Sequence, residues 1–338
     1  MRELDDIDPR TALELYIEAR TAELSQATIR SHRSRLGHVI EWCDEEGIEF
    51  MSELRGRDLH EYRLWRRSKG DPNNVTMKTQ MDSLRVWIRW LETIDAVQPD
   101  LSEKVLSPSL GKGENQRDVM IDGEVGDAIL EYLDRYEYAS VDHVTWILLW
   151  RCIMRRGGVR AVDTDDVETT GDDPHIRVKH RPDTGTPLKN QGEGERFIGL
   201  REDTAAVIED YIDKRRIDVV DQYGRSGLIT SRQGRQHVQT IQATSYALTR
   251  PCKGPGGECP HDRDVSECDA AQDRQKSYEC PSSVSPHAVR RGAITHWLSS
   301  DVPETIVSDR ANTNAMDHYD RRTERQKMQQ RREFLYKV

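Results

Sequence analysis

The sequence predicts a mainly α-helical protein with a small β-sheet, divided into two domains. Three observations support this prediction. Apolar residues recur with a helical period through residues 1–98, and an aperiodic stretch rich in Pro, Gly and polar residues follows at 99–117. In residues 118–338, two strand-like runs flank a turn-rich loop among further helical patterns. We therefore predict a helical domain at 1–98, a linker at 99–117 and a mixed, mainly α domain at 118–338.

The first domain is predicted to contain four helices and no strand. Asp8 is a preferred N-cap residue and Pro9 a preferred first helical residue, so the first helix should begin there. Ser25 is a candidate cap for the second helix, which Gly47 is expected to end. The other two helices are predicted at about 57–68 and 75–93.

The second domain is predicted to place a β-hairpin between helices. Its first two helices fall at about 122–138 and 141–152, and the second is so apolar that it should be central. The runs Ile176–Lys179 and Arg196–Leu200 flank a segment rich in Gly, Pro and Asn, which is typical of a hairpin. Later helices are expected at about 204–216, 240–249 and 286–298.

Charge and composition bear on where the protein works. The formal net charge is −10 and the basic residues are mostly Arg. This favours a protein from a salt-rich cytoplasm (a halophile), with an ordinary acidic protein as the alternative. No stretch approaches roughly 18 consecutive apolar residues, and residues 1–10 lack the apolar region of a signal peptide. We therefore predict a cytoplasmic protein with no membrane partner.

The strongest chemical signal lies near the end of the chain. His287 and Arg290 are three residues apart in a segment that Pro286 opens as a helix, so both should leave one helical face. Arg offers a planar fork that fits phosphate oxygens, and His exchanges a proton near neutral pH. Tyr319 follows Arg290 by 29 residues and is a candidate oxygen nucleophile. Taken singly, each is more often a plain surface or capping residue.

This constellation resembles the tyrosine recombinase (phage integrase, Xer-like) family, whose members carry His-x-x-Arg and then a Tyr some thirty residues later. Upstream, Arg155 stands in the run IMRRGGVRAV, which resembles the family's first-arginine motif. Lys189 stands in TPLKN, which resembles the family's β-hairpin lysine. The family order of Arg, Lys, His-x-x-Arg and Tyr is kept, and the resemblance spans roughly residues 10–335.

The resemblance implies a site-specific DNA recombinase or integrase that needs no metal or other cofactor for its chemistry. Tyr319 would attack a scissile phosphate, giving a 3′-phosphotyrosyl intermediate and a free 5′-hydroxyl. Arg155 and Arg290 would stabilise negative charge on the phosphate oxygens. Lys189 is the candidate acid for the leaving 5′-oxygen, and His287 is the candidate base for the tyrosine proton.

The resemblance also implies an architecture and partners. A helical, SAM-like core-binding domain and a mixed α/β catalytic domain would close on double-stranded DNA, and the protein would act as a homo-oligomer, a dimer or tetramer, on that DNA. The tail from Arg321 to Val338 is a candidate helix that docks on a neighbouring subunit or on its own domain. The candidate phosphate contacts of the first domain, with a solvated polar face as the alternative, are Arg30, Arg33, Arg35, Arg63, Arg66, Arg67 and Lys78.

One position departs from the family pattern. Many members carry a His or Trp nine residues before the Tyr, where this chain has Arg310. An Arg donates hydrogen bonds but accepts none. We therefore expect Arg310 to be a catalytic residue that donates to a phosphate oxygen without taking up a proton.

A cysteine-rich insert at 250–281 is absent from the usual family pattern. Its Gly, Pro, Asp and Ser residues leave little to bury, so something must order it. Disulfides are disfavoured in a cytosol, whereas four thiolates suit tetrahedral zinc. We predict a structural zinc ion, with reduced Cys in a flexible loop as the alternative. The expected ligands are Cys252, Cys259, Cys268 and Cys280, with His261 as an alternative ligand.

Two rival functions stay open from the sequence. One is a non-catalytic, DNA-binding relative that keeps the fold and has lost the chemistry. The other is a zinc-dependent hydrolase built on the insert, for which Asp262 and Asp264 are candidate carboxylates near the metal. The complete set of motif residues favours the recombinase over both.

Overall fold

The computed structural model describes residues 4–111, 119–253, 258–300 and 302–313, and in the C-terminal tail residues 328, 332 and 335. The chain forms two compact units, Met1–Asp118 and Val119–Val338. Each unit has its own cluster of buried apolar side chains. The predicted fold class is confirmed, because helices dominate and the strands form only small antiparallel sheets. Among the described residues, no helix is long and apolar enough to span a bilayer.

The first unit is built from four helices: α1 (Pro9–Arg20), α2 (Gln26–Glu46), α3 (Gly56–Ser68) and α4 (Asn74–Thr93). The predicted caps are present. The Asp8 carboxylate accepts hydrogen bonds from the backbone N–H groups of Arg10 and Thr11, at 3.1 and 3.0 Å. Gly47 ends α2 in the left-handed conformation, with φ of 72°. Local sequence therefore fixes where these helices begin and end.

The predicted linker begins too early. Residues Leu101–Lys104 form a 3-10 turn, and Leu101 and Val105 are buried in the core of the first unit. Their apolar side chains are the physical reason, since burial stabilises each one by roughly 1.5–3 kcal/mol. The first unit thus extends at least to Val105, and residues 112–118 of the predicted linker lie outside the described residues.

The second unit surrounds one buried helix. Helix α6 (Val141–Trp150) is buried at every position from Asp142 to Trp150, which confirms its predicted central place. Strands β1 (Val167–Glu168), β2 (His175–Val178) and β3 (Arg196–Gly199) form an antiparallel sheet in that order, with Ile176 opposite Ile198. The elements are α5 (Gly123–Tyr136), α6 (Val141–Trp150), α7 (Arg156–Ala161), β1 (Val167–Glu168), β2 (His175–Val178), β3 (Arg196–Gly199), α8 (Glu202–Asp210), β4 (Thr230–Ser231), β5 (Gly234–Arg235), α9 (Val238–Leu248), α10 (Asp269–Gln272), α11 (Pro286–Ser299) and α12 (Glu304–Ala311).

Helix α11 is the element that the sequence marked as functional. It begins at Pro286, and the Ser285 hydroxyl caps it by accepting from the backbone N–H of Ala288 at 3.4 Å. Gly292 allows the close approach of the preceding chain, because a Cβ there would lie 2.2 Å from the Ile121 carbonyl oxygen. This contact fixes the position of the helix that carries His287 and Arg290.

The described residues of the C-terminal tail pack on their own chain. Met328 and Leu335 are buried, and the Met328 sulfur lies 3.4 Å from where a Cβ at Gly199 would stand. Arg332 forms an ion pair with Asp173 at 2.6 Å. The tail was expected to dock either on a neighbouring subunit or on its own domain, and these contacts correspond to docking on its own domain.

Candidate active site

Arg155 is delivered by the turn that follows α6. Ile153 adopts a φ of 51°, a left-handed conformation that ends the helix, and Arg155 then caps α7. The Arg155 side chain is half-buried, and this burial lowers its pKa. Its Nη1 donates to Asn312 Oδ1 at 3.5 Å. The neighbouring Arg156 is exposed and donates instead to Gln242, which supports choosing the first arginine of the pair.

Arg290 points inward from α11 and is only 4% exposed. It donates to the backbone carbonyls of Ile153 and Ala311. Burial, followed by the positive charges of Arg155 and Arg196, lowers the pKa of Arg290 to about 9. The Ile153 turn therefore serves both arginines, because it presents Arg155 and accepts a hydrogen bond from Arg290.

His287 lies one helical turn before Arg290, where positive charges surround it. Its pKa is lowered, first by partial burial and then by four neighbouring cations. Those cations are, in order of effect, Arg291, Arg290, Lys189 and Arg155. A lowered pKa keeps the imidazole neutral at pH 7, which is the form that can accept a proton.

Lys189 is exposed in the loop between β2 and β3. The predicted hairpin is present, with strands within one residue of their expected bounds. His180 Nδ1 accepts from the backbone N–H of Leu188 at 2.9 Å, which ties the loop to the end of β2. The positive charges of Arg155, Lys189 and Arg290 all act on His287, and that of Arg155 also acts on Arg290. We call these four residues the open cluster.

Arg310 has a different place from the one expected. Its side chain is 2% exposed, and its guanidinium lies over the Trp297 ring, 4.7 Å from the ring centroid. Its nitrogens donate to the carbonyls of Arg151, at 3.0 and 3.2 Å, and of Gly199, at 3.1 Å. Because these donors face the protein interior, the expectation that Arg310 donates to a phosphate oxygen is corrected. It joins α12 to the end of α6 and to β3.

The predicted nucleophile, Tyr319, lies outside the described residues, as do all residues from 314 to 327. Helix α12 ends at Ala311, and the described chain continues to Thr313. The site is therefore described up to six residues before Tyr319.

Asn312 is a residue of the site that the sequence analysis missed. Its Oδ1 accepts from Asn190 Nδ2 at 2.6 Å as well as from Arg155, and its Nδ2 donates to the Glu193 carbonyl at 2.8 Å. It adopts φ 51° and ψ 63° at the C-cap of α12. An Asn just past a helix end is a known signal for this left-handed conformation, so the cap was detectable in principle.

The cysteine insert encloses one small cavity of about 10 Å³, roughly the space of one atom. All six cysteines are free thiols, and Cys43 and Cys152 are buried as predicted. In the described ranges, however, no three His, Cys, Asp or Glu side chains are placed to hold a metal ion, so the zinc prediction gains no support from the geometry. The cavity is lined by Cys252, Cys259, Cys268 and Cys280, by His261 and by five other residues.

The insert is held to the unit by an ion pair. Arg274 donates to both carboxylate oxygens of Asp142 at the start of α6, at 2.9 and 2.6 Å, and to Thr244 Oγ1 at 2.6 Å. The proposed hydrolase carboxylates, Asp262 and Asp264, are exposed instead of lining the cavity. Nothing in this arrangement favours a hydrolytic centre in the insert.

The fold matches solved recombinases over nearly the whole chain. A lambda integrase fragment, solved as a dimer bound to a COC′ core site, is 9% identical with a TM-score of 0.57, covering 94% of this chain and 99% of that one. The Tn1549 transposon integrase, solved in complex with transposon right end DNA, is 12% identical with a TM-score of 0.59, covering 96% and 99%. The chain therefore has the tyrosine recombinase fold.

A third similarity is in sequence. The N-terminal domain of a phage integrase/site-specific recombinase from Haloarcula marismortui is 38% identical, with a TM-score of 0.30, covering 31% of this chain and 99% of that domain. No protein-family model and no curated protein matches the sequence. The two whole-chain matches confirm, at the level of the fold, the resemblance to tyrosine recombinases that the motifs predicted.

Proposed function

We propose that this chain cleaves and rejoins double-stranded DNA at specific sites through a 3′-phosphotyrosyl intermediate on Tyr319. The observation that carries the proposal is the open cluster, because its members come from a helix turn, a hairpin loop and a late helix yet share one electrostatic site. In the described part of the chain, the partners of Arg155 and Arg290 are neutral oxygens and not carboxylates. Such a site attracts an anion such as a phosphodiester.

Each member then has a chemical role. The Tyr319 oxygen attacks phosphorus, the bond to the 5′-oxygen breaks, and the phenolic proton passes to neutral His287. Lys189 gives a proton to the leaving 5′-oxygen. Arg155 and Arg290 stabilise the charge that develops on the non-bridging oxygens. The reverse reaction with a second 5′-hydroxyl rejoins a strand, so the balance of bonds is conserved without a cofactor.

The partners follow from the relatives. Because lambda integrase was solved as a dimer on DNA, we propose that this chain also acts as a homo-oligomer on paired DNA sites. In the first unit, Arg35 and Lys78 line one groove of about 370 Å³ and are candidates for phosphate contact. Docking of the tail on a neighbouring subunit, the linker's role in a clamp, the cytoplasmic location and the salt-rich origin remain predictions.

A covalent capture experiment tests the proposal. The chain is incubated with nicked duplexes of randomised sequence, and protein-linked strands are recovered under denaturing conditions and sequenced. We expect an adduct whose tryptic peptide contains Tyr319, and Tyr319→Phe should abolish it while leaving DNA binding nearly unchanged. An adduct on the Phe variant contradicts the nucleophile assignment. Binding without any adduct from the intact chain indicates the non-catalytic relative.

We also propose that the insert holds one structural zinc ion. The support is that four thiols and His261 line a single cavity in a segment with few apolar residues. Binding requires the thiolates to close on that cavity, since their placement here is not that of a coordination shell. Metal analysis of protein purified without added zinc should give one zinc per chain, and Cys259→Ser with Cys268→Ser should remove it. Cys43→Ala is the matched control, and four freely reactive thiols without metal contradict the proposal.

A further inference from the structure

Asn312 stands where three parts of the site meet. It caps the end of α12, contacts Arg155 at the start of α7, and makes two hydrogen bonds to the loop that carries Lys189. Those two bonds, at 2.6 Å to Asn190 and at 2.8 Å to the Glu193 carbonyl, bracket four residues of the loop. No other described side chain of the site bonds to both Arg155 and this loop.

The orientation of the Asn312 amide is determined by its partners. Its oxygen faces two N–H donors and its nitrogen faces a carbonyl, so a flipped amide would lose all three hydrogen bonds. The backbone at φ 51° also suits Asn better than most residues. Side chain and backbone therefore both favour Asn at this position.

We propose that Asn312 is a positioning residue for strand cleavage that acts through Lys189. Lys189 is exposed and its side chain is long and flexible, so the position of its ammonium group depends on the position of the loop backbone. Asn190 is the next residue, and its bond to Asn312 anchors that backbone beside Arg155. The inference rests on the proposed function. In it, the uncharged Asn312 positions the general acid, Lys189.

A neutral acceptor is required at this point. The Asn312 oxygen orients Arg155 without cancelling its positive charge, which stays available for the phosphate. An aspartate would keep the acceptor and tolerate the backbone, but it would pair with Arg155 and lose the donor to Glu193. Asn312→Asp should therefore impair cleavage at least as much as removal of the side chain.

The test compares two leaving groups on the duplex recovered by covalent capture. One substrate has the natural 5′-oxygen, and the other has sulfur at that bridging position, which leaves as a thiolate without needing a proton because thiols are far more acidic than alcohols. Lys189→Ala should lose cleavage of the oxygen substrate and regain it with sulfur. Asn312→Gly, which keeps the left-handed backbone at little cost, should lose about 10- to 100-fold with oxygen, part of the general-acid contribution, and regain most of that with sulfur.

Controls separate this effect from general damage. Arg155→Ala should be slow with both substrates, because charge stabilisation is needed in either case. Asp100→Gly removes a side chain from a left-handed position in the first unit, where φ is 62°, and should leave both rates unchanged. Asn190→Ala breaks the same contact from the other side and serves if Asn312→Gly fails to fold.

The outcomes are distinct. Rescue of Lys189→Ala but not of Asn312→Gly or Asn190→Ala by sulfur overturns the positioning role and leaves the proposed function intact. Failure of the intact chain to cleave, or of sulfur to rescue Lys189→Ala, overturns the proposed roles themselves and this inference with them. Equal oxygen rates for the intact chain and both Asn variants also overturn it.

Discussion

Two groups of basic residues in the second unit differ in the partners that their side chains have. In the first, which we call the paired cluster, buried carboxylates match every arginine. Asp163 receives Arg225 at 2.9 and 3.0 Å and also Arg235, and Asp166 receives Arg181 at 2.7 and 2.8 Å. In the open cluster, Arg155 and Arg290 bond to an amide oxygen and to backbone carbonyls.

The difference separates stability from function. Burial opposes the ionisation of Asp166, but hydrogen bonds from Arg181 and Lys179 outweigh it and lower the pKa of that carboxyl. In the open cluster, burial and then the positive charges of Arg155 and Arg196 lower the pKa of Arg290, with no carboxylate among the described residues acting against them. The paired cluster has its carboxylates within the fold, whereas under the proposed function the phosphodiester of DNA would supply the negative charge for the open cluster.

Breaking the paired cluster should have the largest effect. Asp163→Asn keeps the shape of the side chain but leaves Arg225 without its carboxylate and leaves Arg235 with Asp221 alone, so we expect about 3–5 kcal/mol less stability. Urea unfolding measures this. The exposed Asp165→Asn, two residues away, is the control and should change stability by less than about 0.5 kcal/mol. A small loss of stability in Asp163→Asn would show that the ion pairs of Asp163 contribute little to folding.

Removing an arginine side chain from the open cluster should leave the fold intact and slow DNA cleavage. Arg155→Ala should lower the cleavage rate at saturating DNA by about 10²–10³-fold, the usual loss of an oxyanion donor. Its unfolding midpoint should stay near that of the intact chain, because the change leaves no carboxylate unpaired. Arg156→Ala is the neighbouring control and should cleave normally. Unfolding of Arg155→Ala would mean that the two clusters do not differ as described.

The pH dependence of cleavage sharpens the comparison on the acid side. The pKa of His287 is below its usual 6.5, so the imidazole stays neutral and able to accept a proton at pH 6.5. As pH falls through the folded-state pKa, His287 becomes charged and single-turnover cleavage should drop by about tenfold per pH unit. The lowered pKa of Asp166 keeps that carboxyl ionised over this range, so its contribution to stability is lost only as the pH falls below about 4. Loss of rate already above pH 7 would exclude His287 as the base.

The smallest effect concerns the missing anion itself. Inorganic phosphate at ten times its dissociation constant should stabilise the intact chain by about 1.4 kcal/mol, because it binds the folded site. Thermal unfolding in phosphate and in chloride at equal ionic strength measures this. The Arg155→Ala variant should show a smaller shift. An equal shift in both proteins would locate the bound phosphate elsewhere.

The sequence predicted the parts of this site that repeat along one helix or follow a motif. His287 and Arg290 share a helical face, and the apolar run of α6 placed Arg155 after a buried helix. Interactions between distant residues were not predictable. The pairing of Asp163 with Arg225 joins residues 62 apart, and the bond between Asn190 and Asn312 joins residues 122 apart.

Two predictions made from motif spacing or composition differ from the structure because they did not account for side-chain burial. The motif spacing suggested a site position for Arg310, but Trp297 and the carbonyls of Arg151 and Gly199 hold its side chain in the interior. Leu101 and Val105 lie in a stretch that looks like a linker by composition, yet the first core has room for their side chains. Local sequence determines where helices and strands form, whereas packing between them determines whether residues such as Arg310 and Leu101 are buried.

The ion pair between Arg274 and Asp142 has a consequence for motion. The insert leads directly into α11, and this pair fastens it to the start of α6, whose other end leads to Arg155. We therefore expect thermal opening of the insert to loosen both the segment that carries Arg155 and the helix that carries Arg290. We therefore expect the insert, α6 and α11 to open together as one cooperative unit, so that the local opening free energy of the insert would limit how long the two guanidiniums stay aligned.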